Sequence, residues 1–180
     1  MLTLILGPMK SGKSLELIGQ TTPHNFTDRE VLYVQPQAHV RDPGIRSRTG
    51  TMVDAIAVKS LRQITAPFDT LAIDEIHMFP PADIAIIEAW LRAGKSLFIS
   101  GLDLDYRGKM PRIITKLLEL KPETVIFKLA VCDVCKQYNA PFSQLLFDGE
   151  PVLSGLPTVI PEDGTYAYQA RCRDCFVKSR

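Results

Sequence analysis

Residues 2 to 18 read LTLILGPMKSGKSLELI: an apolar run, a knot of glycine, lysine and serine, then a second apolar stretch. Gly7, Pro8, Met9, Lys10, Ser11, Gly12, Lys13 and Ser14 satisfy the GxxxxGK[ST] spacing, directly after a predicted strand and directly before a predicted helix. That context is what a phosphate-binding loop requires. The glycines let the backbone turn its N–H groups inward around phosphate oxygens, and the helix adds the positive end of its dipole. In such a loop Lys13 reaches the β- and γ-phosphates and the Ser14 hydroxyl is a Mg²⁺ ligand. A glycine-rich turn that merely matches the spacing is the other reading, and the strand-to-helix context argues against it.

The rest of the chain fits an α/β fold. LTLILG (2 to 7), VLYVQP (31 to 36), TLAIDE (70 to 75) and SLFISGL (96 to 102) read as short buried strands. Helical patterns fall between them at 14 to 20, 59 to 64, 82 to 93 and 113 to 120, and ETVIFKLAVC (123 to 132) could add a strand. Strands buried on both faces and separated by helices imply a parallel sheet flanked by helices. Beyond residue 130 the texture changes to paired cysteines, Pro141, Pro151, Pro157 and Pro161, with little periodicity. The expected division is a nucleotide-binding domain over 1–130 and a small irregular subdomain over 131–180.

With 21 Lys and Arg against 20 Asp and Glu, the 180-residue chain carries a net charge of +1. No whole-molecule field draws it to nucleic acid or to a membrane surface. Its apolar runs are far shorter than the roughly 20 residues that span a bilayer. The N-terminal run meets Gly7 and Pro8 before it could serve as a signal sequence. The expected partners are therefore small molecules, and the expected location is the cytoplasm.

TLAIDEIHMF (70 to 79) supplies the second element of a nucleotide site: an apolar strand ending in Asp74, whose carboxylate would hold the Mg²⁺ shell. For Glu75, next along, one reading is a solvated acid at a strand end. Beside a phosphate loop, a second carboxylate is also placed to take a proton from an attacking hydroxyl or to orient a water. His77 could hydrogen-bond a base or phosphate, or be a satisfied histidine at a strand end. His24 reads as a surface loop residue, and Trp90, on the apolar face of its helix, as core or subunit packing. Arg41, Arg46 and Arg48 could gather phosphates or belong to a solvated loop.

Cys132 and Cys135 form one CxxC, and Cys172 and Cys175 form another; the chain has no other cysteine. Two CxxC pairs separated by a loop give four thiolates, a set that suits tetrahedral Zn²⁺ with no position left for water, hence a structural site. Disulfides are the competing reading. A CxxC ring is a poor loop to close, and a cytoplasmic chain disfavours it. Zinc would pin residues 136 to 171 at both ends, as a loop able to fold over whatever the main domain binds.

Taken together, GPMKSGKS, IDEIHMF, GLDLDYRGK, VCDVC and YQARCRDC occur in the order found in the thymidine kinases of the cellular and bacterial type, and the chain resembles that family over essentially its whole length. The resemblance implies transfer of the ATP γ-phosphoryl to the 5′-hydroxyl of thymidine or deoxyuridine, a nucleoside held under a zinc-bound lasso, and a homotetramer. It aligns Glu75 with the catalytic base, Ser14 and Asp74 with Mg²⁺ ligands or their water-mediated partners, and Arg41 with an arginine close to the transferred phosphoryl. Met9, Met78, Leu102 and Tyr106 align with the base pocket, and Tyr168 with a lasso tyrosine. Lasso backbone from Val159 and Ile160 to Asp163 and Gly164 would read the pyrimidine edge through its N–H and C=O groups.

Several positions depart from the pattern of that family. His77 stands for a glutamine, Met78 for a pocket phenylalanine, Tyr106 for another phenylalanine, and His39 for an aspartate; Met110 and Pro111 follow Lys109 where the family has Pro and Phe. Asp163 stands in place of one of a glycine pair. Three readings follow: a thymidine kinase, a related enzyme with another acceptor, and a nucleotide-binding protein without catalysis. Retention of Lys13, Ser14, Asp74 and Glu75 leans against the last.

Overall fold

The structure, a computed structural model, describes residues 1–38, 44–158, 160 and 164–178. Among these, β1 (Leu2–Leu6) is followed by α1 (Lys13–Thr21), β2 (Val31–Pro36), and the short strands β3 (Gly44–Arg46), β4 (Met52–Asp54) and β5 (Ile56–Val58). Then come β6 (Thr70–Ile73), α2 (Ile84–Arg92), β7 (Ser96–Gly101), α3 (Arg112–Glu119) and β8 (Thr124–Phe127). The C-terminal part adds β9 (Phe142–Phe147), β10 (Glu150–Pro151) and β11 (Tyr166–Arg171).

Six strands form one parallel sheet in the order β5-β2-β6-β7-β1-β8. β1 is buried on both faces, and its side chains alternate between two cores. Leu2, Leu4 and Leu6 join Ile73, Leu97 and Ile99 under α2 and α3, whereas Ile5 joins Tyr33, Ala72 and Phe98 under α1. Covering both faces is why these strands read as continuous apolar runs rather than as alternation. Trp90 packs edge-on against Phe68 at 5.2 Å, as part of the first core.

The strands at 31 to 36, 70 to 75 and 96 to 102 lie where the sequence puts them, and ETVIFKLAVC does add a strand, β8. Lys59 to Ile64 is a single 3₁₀ turn, Leu61–Gln63, capped by Ser60. His24 differs from expectation: it is half-buried in a 3₁₀ turn, with its ring centre 5.3 Å from that of Phe98 in an edge-on contact. The C-terminal part is less irregular than its sequence suggests, since β10-β9-β11 is an antiparallel sheet. No helix among the described residues is long and apolar enough to cross a membrane.

What the fold does for function is register. β6, β7 and β1 are neighbours, and Leu6 pairs with Gly101 while Ile73 pairs with Ile99. The segments leaving their carboxyl ends, at Gly7, Asp74 and Leu102, therefore meet at one edge, where open parallel sheets bind ligands.

Candidate active site

The chain leaves β1 through Gly7, at φ 152°, and enters α1 through Gly12, at φ 80°. A Cβ on Gly7 would stand 2.5 Å from the Lys128 carbonyl oxygen, so the loop passes too close to the neighbouring chain for any side chain there. Inside the loop the Pro8 carbonyl accepts hydrogen bonds from Ser11 Oγ at 2.8 Å and from Lys13 Nζ at 2.7 Å. Burial holds the Lys13 ammonium below its ordinary pKa, against the opposing pull of Glu75, Asp74 and Asp103. A desolvated cation facing carboxylates, fixed by one carbonyl, is suited to receive phosphate oxygens.

Asp74 leaves β6 nearly fully buried, at 5% exposure. Its Oδ2 accepts from Ser14 Oγ at 2.8 Å, and its Oδ1 accepts from the Ser100 hydroxyl and from the Glu75 N–H at 3.0 Å. Burial, then the charge of Glu75, raises the Asp74 carboxyl above its ordinary value, while Ser100, Ser14 and Lys13 hold it down. Ser14 hydroxyl and Asp74 carboxylate are hard oxygen donors set side by side, a fit for Mg²⁺. Glu75 follows in the left-handed region, φ 51°, a conformation that costs a non-glycine residue energy and is found at functional sites. Glu75 lines the same cavity as Lys13, Ser14 and Asp74, and its Oε2 lies 3.3 Å from His77 Nδ1.

Two of the residues aligned with the base pocket and two aligned with the lasso come together. Met9, Tyr106, Ile160 and Tyr168 pack in one apolar cluster with Leu145 and Leu156. The Tyr106 hydroxyl donates to the Leu156 carbonyl at 3.0 Å and accepts from the Leu156 N–H at 3.3 Å, fastening the C-terminal segment to the main sheet. Tyr168 donates to the Ile160 carbonyl at 3.2 Å, and burial pushes its phenol up to about 12, so it stays neutral. Leu102 and Met78 lie outside this cluster, at the ends of β7 and of the 3₁₀ turn Ile76–Met78. Gly164 is exposed beside the β9–β10 turn, in a separate groove. Arg41, Val159 and Asp163, as well as His39, lie outside the described residues.

The four cysteines converge. Cys132, Cys135, Cys172 and Cys175 place their sulfurs within 4.8 Å of one another. Backbone amides aim at them: although burial opposes it, N–H groups of Cys135, Cys172 and Val134 draw the Cys132 thiol down to about 6. A sulfur donor set at this spacing, with one thiolate already favoured, fits Zn²⁺.

A model of the thymidine kinase family matches residues 1–176. The chain belongs to the thymidine kinase family. It is 32% identical to a thymidine kinase of Pyrobaculum aerophilum, with 98% of each chain covered. It is 30% identical to a thymidine kinase of Pseudothermotoga lettingae, over 98% of this chain and 95% of that one. A third relative, the thymidine kinase of Mycoplasma capricolum subsp. capricolum, is 32% identical over 98% of this chain and 88% of its own. Membership carries with it the use of ATP and Mg²⁺ and small-molecule substrates.

Three residues at the site have no role assigned to them from the sequence. Ser100 closes the hydrogen-bond set of Asp74 from β7. Asp103 has one buried carboxylate oxygen, Oδ1, with no hydrogen-bond partner among the described residues, and burial raises its carboxyl. Asp105, buried, accepts from the backbone N–H groups of Arg107 and Lys109 and from the Arg107 guanidinium, and so shapes the turn that carries Tyr106. One signal was in the sequence: GLDLDY puts two acids just beyond a buried strand, as IDE does at β6.

Proposed function

We propose that the chain transfers the γ-phosphoryl group of ATP to the 5′-hydroxyl of thymidine or deoxyuridine. The observation that carries the reading is the convergence of Lys13, Ser14, Asp74 and Glu75 on one cavity at the ends of β1 and β6. In this reading the loop from Gly7 to Ser14 holds the triphosphate. Lys13 leaves the Pro8 carbonyl for the β- and γ-phosphate oxygens, spreading the charge that builds during transfer. Ser14 and Asp74 would hold Mg²⁺, which when bound draws charge from the phosphate oxygens.

Glu75 takes the proton of the 5′-hydroxyl as its oxygen attacks phosphorus; the bond from the γ-phosphorus to the bridging oxygen breaks, and ADP keeps that electron pair. The base sits in the cluster of Met9, Tyr106 and Tyr168, with Leu102 and Met78 at its rim. The cysteine cluster, filled with Zn²⁺, would fasten the segment that covers it. Assembly as a homotetramer belongs to the same proposal. It is supported by the edge position of β8, where Phe127 and Leu129 are exposed beside a strand edge that pairs with no other strand among the described residues.

The deciding experiment is a phosphoryl-transfer assay with labelled ATP and Mg²⁺, run with thymidine, deoxyuridine, deoxycytidine and no acceptor. Labelled thymidine monophosphate is expected, with loss of at least about 100-fold in Glu75→Gln, the size of a general-base contribution. Transfer to deoxycytidine alone, or ATP hydrolysis unchanged by any nucleoside, would overturn the reading.

A further inference from the structure

The phosphate loop is only one wall of the cavity above it. Facing Lys13, Ser14, Asp74 and Glu75 is the turn between β3 and β4, residues 46 to 50. This turn is firmly built. The Ser47 N–H donates to the Thr51 carbonyl at 2.8 Å, and the Gly50 N–H donates to the Ser47 carbonyl at 3.0 Å. The buried Ser47 hydroxyl accepts from the Thr51 N–H at 3.0 Å and is hydrogen-bonded to Thr49 Oγ1 at 2.9 Å. Behind the turn, Ile45 is buried against Leu17 and Ile18 of α1. The helix that starts at the phosphate loop therefore also supports the hairpin opposite it.

Arg48 stands exposed at the tip of this turn, and no salt bridge joins it to a described residue. It is close enough for its charge to act on the Lys13 ammonium, in the same direction as burial does. Two cations facing one cavity repel each other until a polyanion lies between them. A guanidinium offers a planar fork that meets phosphate oxygens two at a time, and an exposed one reaches its ligand without a buried-charge cost.

We propose that Arg48, carried on the β3–β4 turn, is a triphosphate-binding residue that completes the phosphate site of ATP from the side opposite the loop. This rests on the kinase reading above. It adds a second cation, on a separate element, to the loop-borne Lys13. The phosphates are thereby held between two walls that share α1 as their support.

The test is calorimetric titration of the zinc-loaded full chain with MgATP and with AMP, in the wild type, Arg48→Ala, Arg48→Lys and, as a remote control, Arg92→Ala. Arg48→Ala is expected to weaken MgATP about 10-fold or more, the effect of losing a hydrogen bond to a charged group. AMP binding and the thermal midpoint should stay unchanged, Arg48→Lys should recover part of the loss, and Arg92→Ala should match the wild type. Equal MgATP affinity in Arg48→Ala and the wild type overturns the proposal and leaves the kinase reading standing. An equal loss for AMP also overturns it, since the contact would then not run through the outer phosphates. Failure of the wild type to bind MgATP would overturn the kinase reading, and this proposal with it.

Discussion

The ammonium of Lys10, inside the phosphate loop, donates to Asp133 Oδ2 at 2.7 Å, and Asp133 stands between the two cysteines of the first CxxC. The same carboxylate oxygen accepts the Ala170 N–H at 2.7 Å. A second tie runs alongside, from the Met9 N–H to Ser143 Oγ at 2.9 Å. Lys10 is held in the left-handed region, φ 65°, so the backbone of the phosphate loop is kept in an uncommon conformation partly by what the cysteine-bearing segment offers it.

Cutting the first tie should separate stability from ligand affinity. The Lys10–Asp133 pair is partly exposed, and such pairs contribute about 0.2–1 kcal/mol. Lys10→Ala should therefore barely move the thermal midpoint while weakening ATP by a few-fold, because the loop relaxes from its bound-like shape. Asp133→Ala also leaves the Ala170 N–H without its acceptor and should cost about 1–3 kcal/mol. Chemical denaturation beside ATP titration checks both; a Lys10→Ala protein that loses stability as much as Asp133→Ala would refute the account.

Asp74 illustrates a site that works at the expense of the fold. Its carboxyl is raised by burial and by the adjacent Glu75 charge, so the folded protein binds that proton more tightly than the unfolded chain does. The linked stability is present below the unfolded value, roughly pH 4, and is lost as pH rises through the folded value. At neutral pH and without Mg²⁺, Asp74→Asn should accordingly be more stable by about 1 kcal/mol and inactive. A destabilised Asp74→Asn protein at neutral pH would show that the Ser14 and Ser100 hydrogen bonds outweigh the cost of the buried charge.

His77 makes two contacts that its ring cannot satisfy in one tautomer. Its Nδ1 lies 3.2 Å from the Leu102 N–H donor and 3.3 Å from Glu75 Oε2. Accepting from Leu102 needs a bare nitrogen, and donating to Glu75 needs a protonated one. The backbone donor is permanent, so the bare form is favoured and Leu102, proposed above for the rim of the base pocket, is what His77 holds. His77→Ala should raise the KM for thymidine roughly 5- to 10-fold, the effect of one lost hydrogen bond, with little change in the KM for ATP. His77→Gln keeps an acceptor and should restore most of it. A fall in kcat alone would instead assign His77 to Glu75.

These residues show what a one-dimensional reading can and cannot reach. Asp74 was legible because a buried apolar strand ends on it, and the cysteines because CxxC spacing carries its own geometry. His24 misled because a polar loop composition does not reveal that Phe98 lies within ring contact. β9 and β11 were missed because prolines and short polar interruptions hide a pairing between distant segments, running from Phe147 with Tyr166 to Phe142 with Arg171. Arg48 was visible only as one of three arginines in a loop. Its position opposite Lys13 depends on Ile45 packing against α1, a tertiary contact with no local signature.

The cysteine cluster leads to the last prediction. In the metal-free chain, amide hydrogen bonds outweigh burial and bring Cys132 to about 6, while Cys175 is pushed up to about 12, first by its hydrogen bond to the Cys172 sulfur. The first thiolate should thus appear as an absorbance rise at 240 nm centred near pH 6. Because that value lies below the unfolded one of roughly 8.5, its stabilising effect is present above the unfolded value and lost as pH falls through about 6. One Zn²⁺ per chain should bind at neutral pH and be released by acid across the same range. Cys172 follows β11 directly, and β11 carries Tyr168 into the apolar cluster with Tyr106. Chelation should therefore abolish thymidine binding, and weaken ATP only by the few-fold expected for loss of the Lys10–Asp133 tie, because the rest of its loop stands on β1 and α1. Equal thymidine affinity in zinc-loaded and chelated protein would disconnect the metal from the pocket.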